Sequence, residues 1–120
     1  MYVAVVLTPE SHKLLLSHFE VPSGWEPIAH HMTCSMGSSE NSIAKDFIGQ
    51  KVELIVRTIA QDELVMAVGV ETIVPSTNRI KHITVGVNRK NGGKPFLSNN
   101  LKNWEPVLEL KLEGFVQVVT

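Results

Sequence analysis

Cysteine is nearly absent: Cys34 is the one thiol in 120 residues. A lone thiol excludes an internal disulfide and a multi-thiolate zinc site, and it fits a reducing compartment, with the cytoplasm as the default expectation. Excess positive charge is missing too, since eleven Lys and Arg stand against twelve Asp and Glu for a formal net charge of -1. No global field is available to hold a duplex by phosphate neutralisation, so duplex DNA is not an expected partner and any nucleic-acid contact must be local. No apolar run approaches the roughly 18 to 20 residues of a membrane span, and the N-terminus carries neither a basic stretch nor a small-residue cleavage site. The expectation is a soluble, unprocessed chain with no membrane partner. Repeats, low-complexity tracts and long charged runs are also lacking, which reads as one domain over residues 1–120. At 43% hydrophobic, such a chain can bury a core.

What is present is rich in strand-forming residues. Tyr2 to Leu7 reads as a strand, and Thr8-Pro9-Glu10 then supplies a helix cap and first turn, with Leu14, Leu15 and Phe19 facing inward. Val21 to Pro27 breaks that helix and leads into a second strand, Ile28 to Ser35. A short helical turn fits Ile43 to Phe47, and Lys51 to Ile59 alternates like a half-buried strand before a turn at Gln61-Asp62. Leu64 to Val70 is almost continuously apolar, as a strand covered on both faces would be, and Pro75-Ser76-Thr77-Asn78 ends the element after it. Ile80 to Val87 is a further strand, Asn88 to Pro95 a Gly-Gly loop, and Ser98 to Trp104 a short helix capped by Ser98. Leu108, Leu110 and Leu112 alternate with charged residues, and Gly114 permits a tight turn into Phe115 to Val119. Strands outnumber helices and several are joined by short turns, so the fold class is α+β with mostly antiparallel sheet.

Two of these strands carry one pattern. The period of two puts His31, Thr33 and Ser35 on one face of the first, with Ile28, His30, Met32 and Cys34 on the other. It puts His82, Thr84 and Gly86 together on the second, with Ile83, Val85 and Val87 behind them. An apolar back face anchors each strand on a core and turns its His and Thr toward whatever cleft the sheet lines. With five His and seven Thr, roughly 0.3 His-x-Thr triplets are expected by chance, so two copies inside matching strands stand out.

At His31-Met32-Thr33-Cys34 and His82-Ile83-Thr84-Val85 the sequence resembles the 2H phosphoesterase superfamily, whose signature is two His-apolar-Thr/Ser-apolar motifs on strands flanking a cleft. The superfamily includes LigT-like RNA cyclic phosphodiesterases, the phosphodiesterase domains of tRNA ligases, and phage enzymes acting on cyclic oligonucleotides. The resemblance implies two lobes of mostly antiparallel sheet flanking a cleft, with helices packed outside. It implies metal-independent hydrolysis of a 2',3'-cyclic phosphate RNA end or a cyclic or short oligonucleotide, with no cofactor and with an RNA ligase as a possible associate. The two His lie 51 positions apart, a shorter spacing than in many members.

The residue types agree with that chemistry. Phosphodiester cleavage needs one group to take a proton from the attacking oxygen and one to give a proton to the leaving oxygen, and imidazole suits both roles near neutral pH. His31 and His82 are therefore the expected acid/base pair, with Thr33 and Thr84 holding the phosphate. Lys94, in the loop that also holds Arg89 and Lys90, is a candidate phosphate clamp. Tyr2, Trp25 and Trp104 are candidates for stacking on a base. His30 and Cys34 read as structural; Ser98-Asn99-Asn100 is open to two readings, recognition of a base edge or capping of the following helix, with capping preferred. Two rival readings are a metal site built from His30, His31 and His82 with Glu40 or Asp46, which lacks a recognised ligand spacing, and a non-catalytic module that binds nucleotides or RNA ends.

Overall fold

A computed structural model describes all 120 residues. Seven strands and one α-helix form: β1 (Tyr2–Leu7), α1 (Pro9–His18), β2 (Glu26–Pro27), β3 (His31–Met36), β4 (Lys51–Gln61), β5 (Val65–Glu71), β6 (His82–Val87) and β7 (Glu105–Val119). Six of them hydrogen-bond in the order β6-β3-β1-β7-β4-β5, and β5 pairs again with β6, so the antiparallel sheet closes into a barrel with β2 as a short extra edge. Closure removes exposed edges, and it gives every strand an inward and an outward face. Val3, Val5, Met32, Cys34, Leu54, Val56, Val68, Ile83, Val85, Leu112 and Val116 fill the interior with essentially no solvent exposure. No helix is long and apolar enough to cross a membrane.

Several local signals behave as their chemistry dictates. Thr8 caps α1 by accepting from the Ser11 amide at 3.2 Å, with Pro9 in the first turn. Asp62 turns β4 into β5 by accepting from the amides of Leu64 and Val65 at 2.8 and 2.9 Å. In α1, Leu15 is fully buried and Leu14 is 37% exposed, while Phe19, just past the helix end, packs against the core.

Other expectations are corrected. Gly114 makes no turn: β7 runs unbroken through it for 15 residues. Gly114 lies on the inward line between Leu112 and Val116, where a Cβ would sit 2.7 Å from both Val5 Cγ1 and the Val6 carbonyl oxygen, so glycine serves close strand approach. Leu108 is 94% exposed because the β4–β7 register slips between Val56 and Thr58, and Val107 packs on the core instead. The helix expected over Ser98 to Trp104 is a 3-10 segment, Pro95–Asn100, and Trp104 lies just before β7.

The loop after β6 is also less free than its two glycines imply. Gly93 is buried, donates to the Asn88 carbonyl at 2.7 Å, and a Cβ there would strike the Leu64 carbonyl and sit 2.8 Å from Asn88 N and O. Because those neighbours are backbone, they cannot swing aside. Gly93→Ala is expected to lower stability by about 1–3 kcal/mol, measured by urea denaturation.

Candidate active site

The two His-x-Thr strands are neighbours. Met32 of β3 pairs with Ile83 of β6, and continuing that antiparallel register places His31 beside Thr84 and Thr33 beside His82. Met32 and Ile83 point into the core, so all four motif side chains stand on the outer face of the barrel. The strands are bridged only at that pair, and the segment before β6 fills in against β3. There the Thr77 amide donates to the Cys34 carbonyl at 2.8 Å, and Ser76 Oγ donates to the Thr33 carbonyl at 2.8 Å.

His31, Thr33, His82 and Thr84 line one cavity of about 400 Å3, whose rim includes Tyr2, Met36 and Phe96. A second cavity of about 500 Å3 adjoins it, sharing Asn78, His82 and Asn99. Neither lining contains an Asp or Glu. In a chain with a net charge of -1, a continuous groove free of carboxylates is a local environment suited to an anion.

Each histidine is held through Nδ1. His82 is 8% exposed, and its Nδ1–H donates to the Ile80 carbonyl at 2.7 Å, which leaves Nε2 as the atom for proton exchange. His31 Nδ1 lies 2.9 Å from His30 Nδ1, so one ring donates and the other accepts. Protons on both would set two N–H donors head to head. Burial pulls the His31 pKa down to about 4, and His30 and His82 push the same way by charge repulsion. His31 is therefore a neutral imidazole at pH 7. An aromatic ring flanks each histidine: Tyr2 with its centroid 5.1 Å from His31, and Trp104 at 6.3 Å from His82. Gly69, paired with His82 across β5 and β6, makes room there, since a Cβ would meet the Thr58 hydroxyl and lie 3.6 Å from the Trp104 ring.

The hydroxyls differ. Thr33 Oγ1 makes no hydrogen bond within the protein, whereas Thr84 Oγ1 lies 2.9 Å from Ser98 Oγ and 3.3 Å from the Pro95 carbonyl. Ser98, 1% exposed, caps no helix; it ties the 95–100 segment to the second motif strand.

Strand alternation puts His30 on the opposite face from His31, but in the structure the two rings meet on one side. Ala29 adopts a φ of +46°, an uncommon conformation for a residue with a Cβ, so strand alternation begins only at His31. Ala29 is pinned there by its amide donating to Thr84 O at 2.9 Å and by His12 Nδ1–H donating to its carbonyl at 2.9 Å. The kink turns His30 outward beside His31.

Two candidates, Trp25 and Lys94, lie elsewhere. Trp25 packs against the core and lines neither cavity. Lys94 is exposed and absent from both linings, and Arg89 is engaged with Glu26 at 2.8 Å. Cys34 faces the core, where burial pushes its thiol up to about 11, and an un-ionised thiol is a poor nucleophile. Nowhere do three or more His, Cys, Asp or Glu side chains gather as a metal-binding group. Asn99 and Asn100 enter the groove from the 3-10 segment, and Asn78, Arg79 and Lys102 from loops, where no periodic pattern marks them.

Among known families, the model of the fungal tRNA ligase phosphodiesterase domain matches residues 11–114, a span that takes in both His-x-Thr triplets. No curated protein and no solved structure matches the chain.

Proposed function

The chain belongs to the fungal tRNA ligase phosphodiesterase domain family, within the 2H phosphoesterase superfamily, and on that premise we propose that it hydrolyses a 2',3'-cyclic phosphate at an RNA end. The observation that carries the reading is the Met32–Ile83 register, which sets two His and two Thr on one carboxylate-free groove. The strands form one closed barrel, and the single bridge between β3 and β6 brings the two motif strands side by side.

Roles follow from the two environments. His31, neutral at pH 7, is the general base: it takes a proton from a water whose oxygen attacks phosphorus. His82, its Nε2 aimed by the Ile80 carbonyl, is the general acid: it gives its proton to the ribose oxygen as that P–O bond breaks. The product is a phosphomonoester beside a free hydroxyl. The proton gained by His31 and the one lost by His82 exchange with solvent before the next turnover. Thr33 donates to a non-bridging oxygen through its free hydroxyl, and Thr84 does so once its O–H turns from the Pro95 carbonyl, with Ser98 Oγ then donating to Thr84 Oγ1. Tyr2 and Phe96 offer faces for the terminal base. The family's description links such domains to tRNA ligases, and an RNA ligase is the activity beside which we place this one.

The test is product analysis by chromatography, in EDTA, of 2',3'-cyclic mononucleotides, RNA with a 2',3'-cyclic end, and cyclic di- and trinucleotides. Hydrolysis of the RNA end is the expected result. Binding of RNA ends without conversion of any substrate would favour a binding module instead.

His30 provides a second check on the assignment. His30→Ala removes one of the charges that hold the His31 pKa down, so the acid limb of the kcat/KM profile should move up toward the ordinary value of 6.5. A limb that stays in place would show that His30 does not act on His31.

A further inference from the structure

The cavity that takes the cyclic phosphate is the smaller of the two. The other, about 500 Å3, lies beyond His82 and shares Asn78, His82 and Asn99 with the first. It brings together three kinds of group. Arg79 and Lys102 are exposed cations, and neither forms an ion pair with any carboxylate of the protein. Asn78, Asn99 and Asn100 offer amides that both donate and accept. Trp104 is fixed by its indole N–H donating to the Leu101 carbonyl at 3.0 Å.

Cations for a phosphodiester, amides for base edges and a fixed indole for stacking together match one ligand class, a nucleotide in a single strand. We propose that this cavity is a subsite for the nucleotide preceding the cyclic end, so that an RNA terminus is preferred over a free cyclic mononucleotide. The inference rests on the hydrolase reading above. The direction of the chain follows from the chemistry of the end. A 2',3'-cyclic phosphate occupies both ribose hydroxyls, so the strand can continue only through the 5' oxygen. Its next phosphodiester carries one negative charge, which the groove's two free cations face without competition from any lining carboxylate. The terminal nucleoside sits on the His31 side, with Tyr2 and Phe96, and the strand leaves past His82 toward Trp104.

The experiment compares kcat/KM for adenosine 2',3'-cyclic phosphate and for a short oligoribonucleotide ending in the same cyclic adenosine. It uses the wild type and an Arg79→Ala/Lys102→Ala variant. The wild type should prefer the oligomer by at least about tenfold, the scale of one charge-assisted hydrogen bond. In the variant the preference should collapse toward unity while mononucleotide hydrolysis stays within about twofold. Equal use of the two substrates by the wild type, or an equal loss on both in the variant, would overturn the proposal. Should neither substrate turn over, the hydrolase reading itself fails. Fluorescence anisotropy with a labelled oligoribonucleotide bearing a 3'-phosphate then decides the site separately. Binding that the double variant loses upholds the strand subsite, and binding that is absent or unchanged in the variant refutes it.

Discussion

His31→Ala and His82→Ala are each expected to lower kcat/KM on a 2',3'-cyclic phosphate by about 10²- to 10⁴-fold, the range over which a positioned general acid or base contributes. The fold should survive both changes. His31 is only partly buried on the outer face, and His82 gives up one hydrogen bond, to the Ile80 carbonyl, worth about 1 kcal/mol. Thermal denaturation of each variant checks this directly. Because the two imidazoles serve one transition state, the double variant should be little slower than the worse single one. Full additivity would mean that the two act in separate steps.

The second large effect is on pH. His31 titrates at about 4 in the folded chain against 6.5 for an ordinary histidine, so it stays a competent base far into acid. The acid limb of kcat/KM should therefore bend near pH 4, where an unburied base would already fail near 6.5. The same depression makes stability depend on pH. Between 6.5 and about 4 the unfolded chain binds a proton at His31 that the folded chain resists, so stability falls as pH drops across that window. The depression from 6.5 to about 4 corresponds to at most about 3 kcal/mol, less whatever solvent access restores. Urea denaturation at pH 7 and at pH 4.5 should show the wild type losing stability and His31→Asn losing clearly less. Equal losses in the two proteins would place the sensitivity at another group.

Much of this was legible in the residues because it is local. Thr8-Pro9 caps a helix, Asp62 closes a hairpin, and the alternation around Met32 and Ile83 sends four polar side chains to one face wherever those strands lie. What escaped was set by partners distant in the chain. Gly114 looks like a turn until β1 is laid against it. Leu108 looks inward until the β4–β7 register slips. Barrel closure depends on β5 pairing with β6 as well as with β4. Near the site, a positive φ at Ala29, a residue with no special licence for it, undid the alternation argument for His30. Ser98 and the asparagines enter the groove from a 3-10 segment and loops, and Lys94, which shares the loop's charge, points elsewhere.

Turnover of substrate in this groove is the central point. The most direct measurement is 31P NMR of an oligoribonucleotide ending in a 2',3'-cyclic phosphate, mixed with the protein in EDTA at a hundredfold substrate excess. The cyclic phosphate resonance is expected to disappear completely, replaced by that of a single phosphomonoester. A cyclic phosphate signal that persists while the oligonucleotide binds would contradict turnover in this groove.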